Sequence, residues 1–155
     1  MLNIKYKDKD LIIVDPEKKE VIFNTENNEV LLDGFNISYP GEYEKSGILV
    51  ETKQYWENLF YNFLIDKKRL IIVNNDKFEL KEEILEFFGD VDVLIIVGSK
   101  EAAKLFESIE AKLVIPYWEG KDIFLNTLWQ NIEEVSSYKI KNEFSLDSTE
   151  FVNLI

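Results

Sequence analysis

The chain contains no cysteine and no histidine. The first absence excludes disulfides, thiolate nucleophiles and cysteine-held metals. The second removes the usual general base near neutral pH, the Ser-His-Asp arrangement and every histidine-held zinc or iron site. Only carboxylate, lysine, tyrosine, serine and threonine groups remain for chemistry. Positive charge is scarce as well. Lys and Arg number 18 against 30 Asp and Glu, a net charge of −12, and Arg69 is the single arginine. Such a surface repels phosphate backbones and anionic headgroups, so neither direct nucleic-acid binding nor membrane binding is expected. It suits plain solubility, a basic protein partner or divalent cations. The 6 glycines stand apart, with no G-x-G-x-x-G and no G-K-[ST] phosphate loop. Long apolar runs are missing too. Leu11–Val14, Leu70–Val73 and Val93–Val97 are the longest, far short of the ~20 residues that cross a bilayer. Met1 to Asp10 is charged and lacks the apolar stretch of a signal peptide. A cytoplasmic location is the expectation. The preference for Ile, Asn, Lys and Phe over Ala, Arg and Pro points to an AT-rich bacterial genome.

What is present is a globular balance. Of 155 residues 46% are hydrophobic, 31% charged and 14% aromatic. This length fits one domain, residues 1–155, able to bury about two thirds of its unfolded surface. The first 73 residues read as short β segments. Leu11–Val14 ends at Asp15-Pro16. Val21–Phe23, Val30–Leu32 and Phe35–Ser38 follow, then Ile48–Thr52. Leu59–Ile65 and Arg69–Val73 flank Asp66-Lys67-Lys68, a hairpin signal. The rhythm then changes to alternating helix and strand. Leu80, Ile84, Leu85 and Phe88 form a helix face closed by Gly89. Val93–Val97 suits a strand buried on both faces. Ser99 is placed to cap a helix with Ala102, Leu105, Phe106 and Ile109 at i, i+3, i+4, i+7 spacing. Leu113–Ile115 is a second buried strand ended by Pro116, and Leu125, Leu128, Trp129 and Ile132 mark a third helix. Tyr138–Phe144 and Phe151–Ile155 read as closing strands.

Two polar groups stand out. Glu42 and Glu44, at i and i+2 of a strand, share a face and could bind a cation or simply be solvated. Asn74-Asn75-Asp76 follows a buried strand, where α/β folds place ligands. The plainer reading is a capping turn before Leu80.

Pro40-Gly41-Glu42-Tyr43-Glu44, followed by Gly47-Ile48, resembles the P-G-E-Y-E segment of the metallo-β-lactamase-like superfamily, in the branch of zinc-dependent hydrolases similar to ascorbate-phosphate lactonases. Gly89-Asp90-Val91-Asp92-Val93-Leu94 is similar to that family's G-D-V-D-V-L, and Ile115-Pro116 sits where it has I-P-x-H. Leu11–Pro16 looks like its strand ending in I-D-P, and the tail 145–155 like its final strand. The resemblance implies a shortened αββα sandwich with mixed β-sheets in a single domain. It also implies that the family's chemistry is lost. The H-x-H-x-D-H metal loop belongs between Pro16 and Pro40, but that stretch is short and holds no histidine. The family's H-L-G-D corresponds to Val73-Asn74-Asn75-Asp76, with Val73 in the ligand position and only Asp76 retained. Its I-P-x-H corresponds to Ile115-Pro116-Tyr117-Trp118, with Trp118 for histidine, followed by Glu119.

The expectation is therefore a non-catalytic, metal-free pseudoenzyme without a cofactor, a protein-binding or assembly module. Two rivals stand beside it. One is a divergent carboxylate and Mg²⁺-dependent hydrolase around Asp76, Glu42 and Glu119. The other is an acidic accessory subunit docked on a large complex such as the ribosome. Tyr117 and Trp118 are expected to cover the strand ends at Val73 and Val97, packing into space vacated by the metal or lining a ligand site. Tyr55, Trp56, Phe60, Tyr61, Phe124 and Trp129 are either core or a contact surface for a second copy or a basic protein.

Overall fold

A computed structural model describes residues 1–144 and 148–155. Its strands are β1 (Leu2–Lys7), β2 (Asp10–Val14), β3 (Glu20–Asn24), β4 (Val30–Leu32), β5 (Phe35–Asn36), β6 (Gly41–Lys45), β7 (Ile48–Tyr55), β8 (Asn58–Ile65), β9 (Lys68–Val73), β10 (Val91–Val97), β11 (Ala111–Tyr117), β12 (Glu134–Val135), β13 (Ser137–Ile140), β14 (Glu150–Phe151) and β15 (Asn153–Leu154). The helices are α1 (Glu82–Phe88), α2 (Lys100–Glu107) and α3 (Lys121–Thr127).

Two sheets carry the fold. The first runs β13-β1-β2-β3-β4-β5 and is antiparallel throughout. The second runs β14-β11-β10-β9-β8-β7-β6. It is mixed: β9, β10, β11 and β14 are parallel, while β6 to β9 form an antiparallel meander. A small parallel pair, β12 and β15, completes the set.

Alternation decides the packing. Leu2, Ile4, Leu11, Ile13, Val21 and Phe23 of the first sheet meet Phe63, Ile72, Ile95 and Ile115 of the second in one buried core. The parallel strands β9 to β11 are apolar on both faces because their other side is also covered. Ile71, Val73, Leu94 and Ile96 pack against Ile84 and Phe88 of α1, Ala102 and Ala103 of α2, and Phe124 and Leu125 of α3. A strand buried on both sides has no polar phase, which is why these runs carry no alternation in sequence. Every helix among the described residues lies on this side. The layers run sheet, sheet, helix, and the shortening of the αββα arrangement falls on the helix layer outside the first sheet. Ile22 and Leu31 on that open face are accordingly part-exposed.

Local signals act as expected at several joints. The β8–β9 hairpin turns on Asp66 and Lys67, both left-handed with φ of 49° and 64°, as a two-residue turn of the I′ kind requires. Ser99 caps α2, its Oγ accepting from the Ala102 amide at 2.9 Å. Gly89 closes α1 with φ of 63° and donates its N–H to the Leu85 carbonyl.

Other expectations need correction. Strand β1 lies where the sequence reads only as charged, because its alternate positions Leu2, Ile4 and Tyr6 pack into or against the core between the charged residues. β11 runs through Pro116 to Tyr117 instead of stopping at Ile115. The Gly98 amide donates to the Tyr117 carbonyl and the Val152 amide to the Val114 carbonyl. Pro116 therefore turns its missing N–H away from β10, beyond the pairing positions of β14, and no ladder bond is lost. α3 ends at Thr127, so Trp129 and Ile132 lie outside any helical phase. Leu125 faces inward as expected, with Phe124 beside it meeting the edge of Phe106 at 5.9 Å. The last segments are shorter than expected. Tyr138–Phe144 reduces to β13, and Phe151–Ile155 divides between β14 and β15 around Val152. Within the tail, residues 145–147 lie outside the described residues.

Candidate functional site

The parallel strands β9, β10 and β11 all release the chain at one edge of the sandwich, after Val73, Val97 and Tyr117. The antiparallel β8 starts at that edge, so the β7–β8 turn at Trp56 and Glu57 sits there as well. The β3–β4 loop completes the rim, since Asn27 and Asn28 line one cavity together with Asn58, Asn74 and Tyr61. This edge holds every position at which the resemblance places a lost ligand.

Those positions have been put to other uses. Val73 is fully buried against the helix layer. Asn74 lines the cavity at the sandwich mouth. Asn75 accepts the Lys77 amide at 3.2 Å through Oδ1, while its Nδ2 is sealed from water without a partner. Asp76 accepts the Ser99 hydroxyl at 2.7 Å, and Ser99 in turn holds the start of α2. The capping turn read before Leu80 therefore serves α2, while α1 starts with no side-chain cap. Gly98 and Gly120 bring two backbones into contact beside it, where a Cβ on either would overlap the other loop.

Tyr117 and Trp118 part ways. Tyr117 is 1% exposed and points between the sheets, its ring meeting the edge of Phe23 at 5.3 Å. Its hydroxyl has no partner among the described residues, and burial, with a smaller effect of Tyr6, raises its pKa. The strand's alternation sends Tyr117 inward. A left-handed backbone at Trp118, φ 79°, then swings the next side chain out to 43% exposure. Trp118 thus does not pack into the core, which corrects the expected aromatic pair. Glu119 beside it is exposed.

The aromatic set also divides. Phe60, Tyr61 and Phe124 are core residues, at 0%, 3% and 0% exposure. Tyr55 is part-buried, edge-on to Phe60 at 5.8 Å. Trp56 and Trp129 are 53% and 93% exposed. All three tryptophans of the chain therefore stand at the surface, each on a left-handed residue, with φ of 58°, 79° and 59°. That conformation costs a non-glycine residue roughly 1–2 kcal/mol and concentrates at functional loops.

The acids named for a rival hydrolase do not meet. Glu42 lies on the edge strand β6, three strands from β9, while Asp76 follows β9 and Glu119 follows β11. No three carboxylates group around a common point among the described residues. The residues present do not fit a catalytic zinc either, which takes about three nitrogen, sulfur or carboxylate ligands. Val73 offers no donor, Trp118 faces solvent and the Asp76 carboxylate already accepts a hydroxyl.

Sequence reasoning singled out Asn74 but missed the asparagine-lined rim that it joins. Asn27, Asn28, Asn36, Asn58 and Asn74 lie in turns or near strand ends, and each reads locally as a turn former. Their convergence depends on the pairing of two sheets, and no spacing in the chain reports it.

No protein-family model matches the chain, and no curated protein matches it at a significant level. Among solved structures it is similar to a protein of Thermotoga maritima proposed to be a Zn-dependent hydrolase of the metallo-β-lactamase superfamily. The two are 19% identical, with a TM-score of 0.72 over 98% of each chain. No helix among the described residues is long and apolar enough to cross a membrane. The two-sheet sandwich, its mixed second sheet and this end-to-end likeness together give the chain the metallo-β-lactamase-like fold.

Proposed function

We propose that this chain is a non-catalytic, metal-free form of that fold that works as a protein-binding or assembly module, with a protein partner or a second copy of itself. The observation that carries the reading is the placement of the tryptophans. Trp56, Trp118 and Trp129 are exposed on left-handed loop residues, although burial would gain each of them several kcal/mol at ~25 cal/mol per Å². Exposed tryptophan is costly unless a partner covers it, and tryptophan anchors interfaces more than most residues. The scattered carboxylates argue against the Mg²⁺-dependent hydrolase. The acidic accessory subunit is a special case of the same reading, with a large complex as partner.

Two measurements test it. Elemental analysis of the dialysed protein should find no stoichiometric zinc, iron or manganese, and a bound transition metal would overturn the metal-free reading. Trp56→Ala and Trp129→Ala should each change folding stability by less than about 0.5 kcal/mol, as surface substitutions do. At the same time they should weaken self-association or capture by a native partner. Unfolding of both variants, or association indifferent to both, would sink the module reading.

A further inference from the structure

Two hollows adjoin at the rim of the sandwich and share Glu57 and Asn58 as a common wall. One, of about 370 Å³, is lined by Asn27, Asn28, Asn58 and Asn74. The other, of about 740 Å³, holds Trp56, Asn75, Phe78 and Glu79. We propose that the two adjoining hollows together form a groove that binds an extended peptide segment bearing lysine or arginine, its backbone on the asparagine amides and its cation on Trp56. The proposal rests on the protein-binding reading and names the segment that the module takes.

Three observations support it. First, a primary amide carries the same N–H donor and C=O acceptor as a peptide unit, so a row of them can pair with an extended backbone. Asn27 and Asn36 are already engaged with Glu29, but no hydrogen bond to another described residue occupies the side chains of Asn58 or Asn74. Second, the Trp56 ring already receives a cation. The Lys81 ammonium sits 5.2 Å from its centroid, so the ring takes a cation, and the lysine or arginine of a bound segment would displace Lys81 from it. Third, the charge is complementary. Glu29, Glu57 and Glu79 line the groove against Lys77, with Lys81 over the Trp56 ring, within a chain of net charge −12. Carboxylate and phosphate ligands are disfavoured, while a cation gains from every acid on the rim.

The test uses the intact chain and three probes: an N-acetylated, C-amidated peptide of alternating glycine and lysine, its glutamate counterpart, and a neutral trisaccharide. In heteronuclear NMR titration at moderate ionic strength, the lysine peptide should shift the side-chain amide signals of Asn58 and Asn74 and the indole signal of Trp56. Trp56→Ala should weaken it about tenfold, equivalent to about 1.4 kcal/mol, and Asn74→Ala about threefold. Lys81→Met, which frees the ring, should tighten it. Glu42→Gln, on the remote edge strand, should leave it within about twofold. Equal binding of the glutamate peptide overturns the proposal. So do shifts spread over the acids and indifferent to Trp56, which mark a counter-ion cloud. Occupation of the groove by the trisaccharide in place of the lysine peptide, or silence with all three probes, overturns it as well. If association through Trp129 persists while the groove stays silent, the groove assignment falls and the module reading stands.

Discussion

Single side chains show what stands at the positions where the resemblance places metal ligands. Asp76 is an acceptor for Ser99, and Ser99 holds the first turn of α2 through the Ala102 amide. Ser99→Ala should cost about 1 kcal/mol, the usual loss for an N-cap, readable as a lowered denaturant midpoint with unchanged slope. Tyr117 presents the opposite balance. Its ring fills the space between the sheets, yet its hydroxyl is buried without a partner. Removing an unsatisfied buried hydroxyl while keeping the ring should be neutral or stabilising. Tyr117→Phe should therefore raise the midpoint by the equivalent of up to about 1 kcal/mol. A large loss would show that the hydroxyl has a role beyond packing.

At the scale of elements, turn chemistry and strand register do most of the placing. The β8–β9 hairpin sets which face of the second sheet each residue of β9 presents, and thereby sends Val73 to the helices and Asn74 to the rim. Its turn residue Lys67 is left-handed, φ 64°, a conformation glycine adopts without the steric cost. Lys67→Gly should stabilise the chain by about 0.5–1 kcal/mol, since the relieved strain exceeds the added chain entropy. Thermal unfolding checks this. A fall in melting temperature would mean that the lysine side chain is itself held in place. The helices contribute less by propensity than by the face they bury, because α1, α2 and α3 are 7, 8 and 7 residues long and too short to persist alone.

For the whole molecule the tyrosines govern the alkaline limit. Burial raises the pKa of Tyr6, Tyr61 and Tyr117, holding each phenol neutral. Burial, then the hydrogen bond to Glu150 and its charge, pushes Tyr138 from 10.0 up to about 12. Each phenol is neutral when folded and ionises more readily when unfolded. The stability this provides is complete below pH 10, and the share from Tyr138 is lost as pH climbs from about 10 to about 12. Unfolding followed by circular dichroism should coincide with tyrosinate absorbance in that window. Ionisation of Tyr6, Tyr61, Tyr117 and Tyr138 themselves near pH 10 while the fold persists would contradict the buried assignment.

The sequence by itself determined the division into a β-rich first half and an alternating second half. Asp66-Lys67, Ser99 and Gly89 act through local backbone geometry that a few residues specify. It also determined which chemistry is absent, since residue types that are not there cannot be supplied by folding. Tertiary structure alone decided where α3 stops, and so why Phe124 is core while Trp129 is solvent. An apolar stripe continues in sequence after its helix has ended, and only packing against α2 and β11 selects the face. It alone decided that Tyr117 turns in and Trp118 stands in solvent, because β11 ends at Tyr117 and a left-handed residue carries Trp118 off the sheet. Most of all it assembled the asparagine rim. Loops tens of residues apart become neighbours only when two sheets with fixed register close face to face, and that distance-bridging step leaves no mark in local sequence.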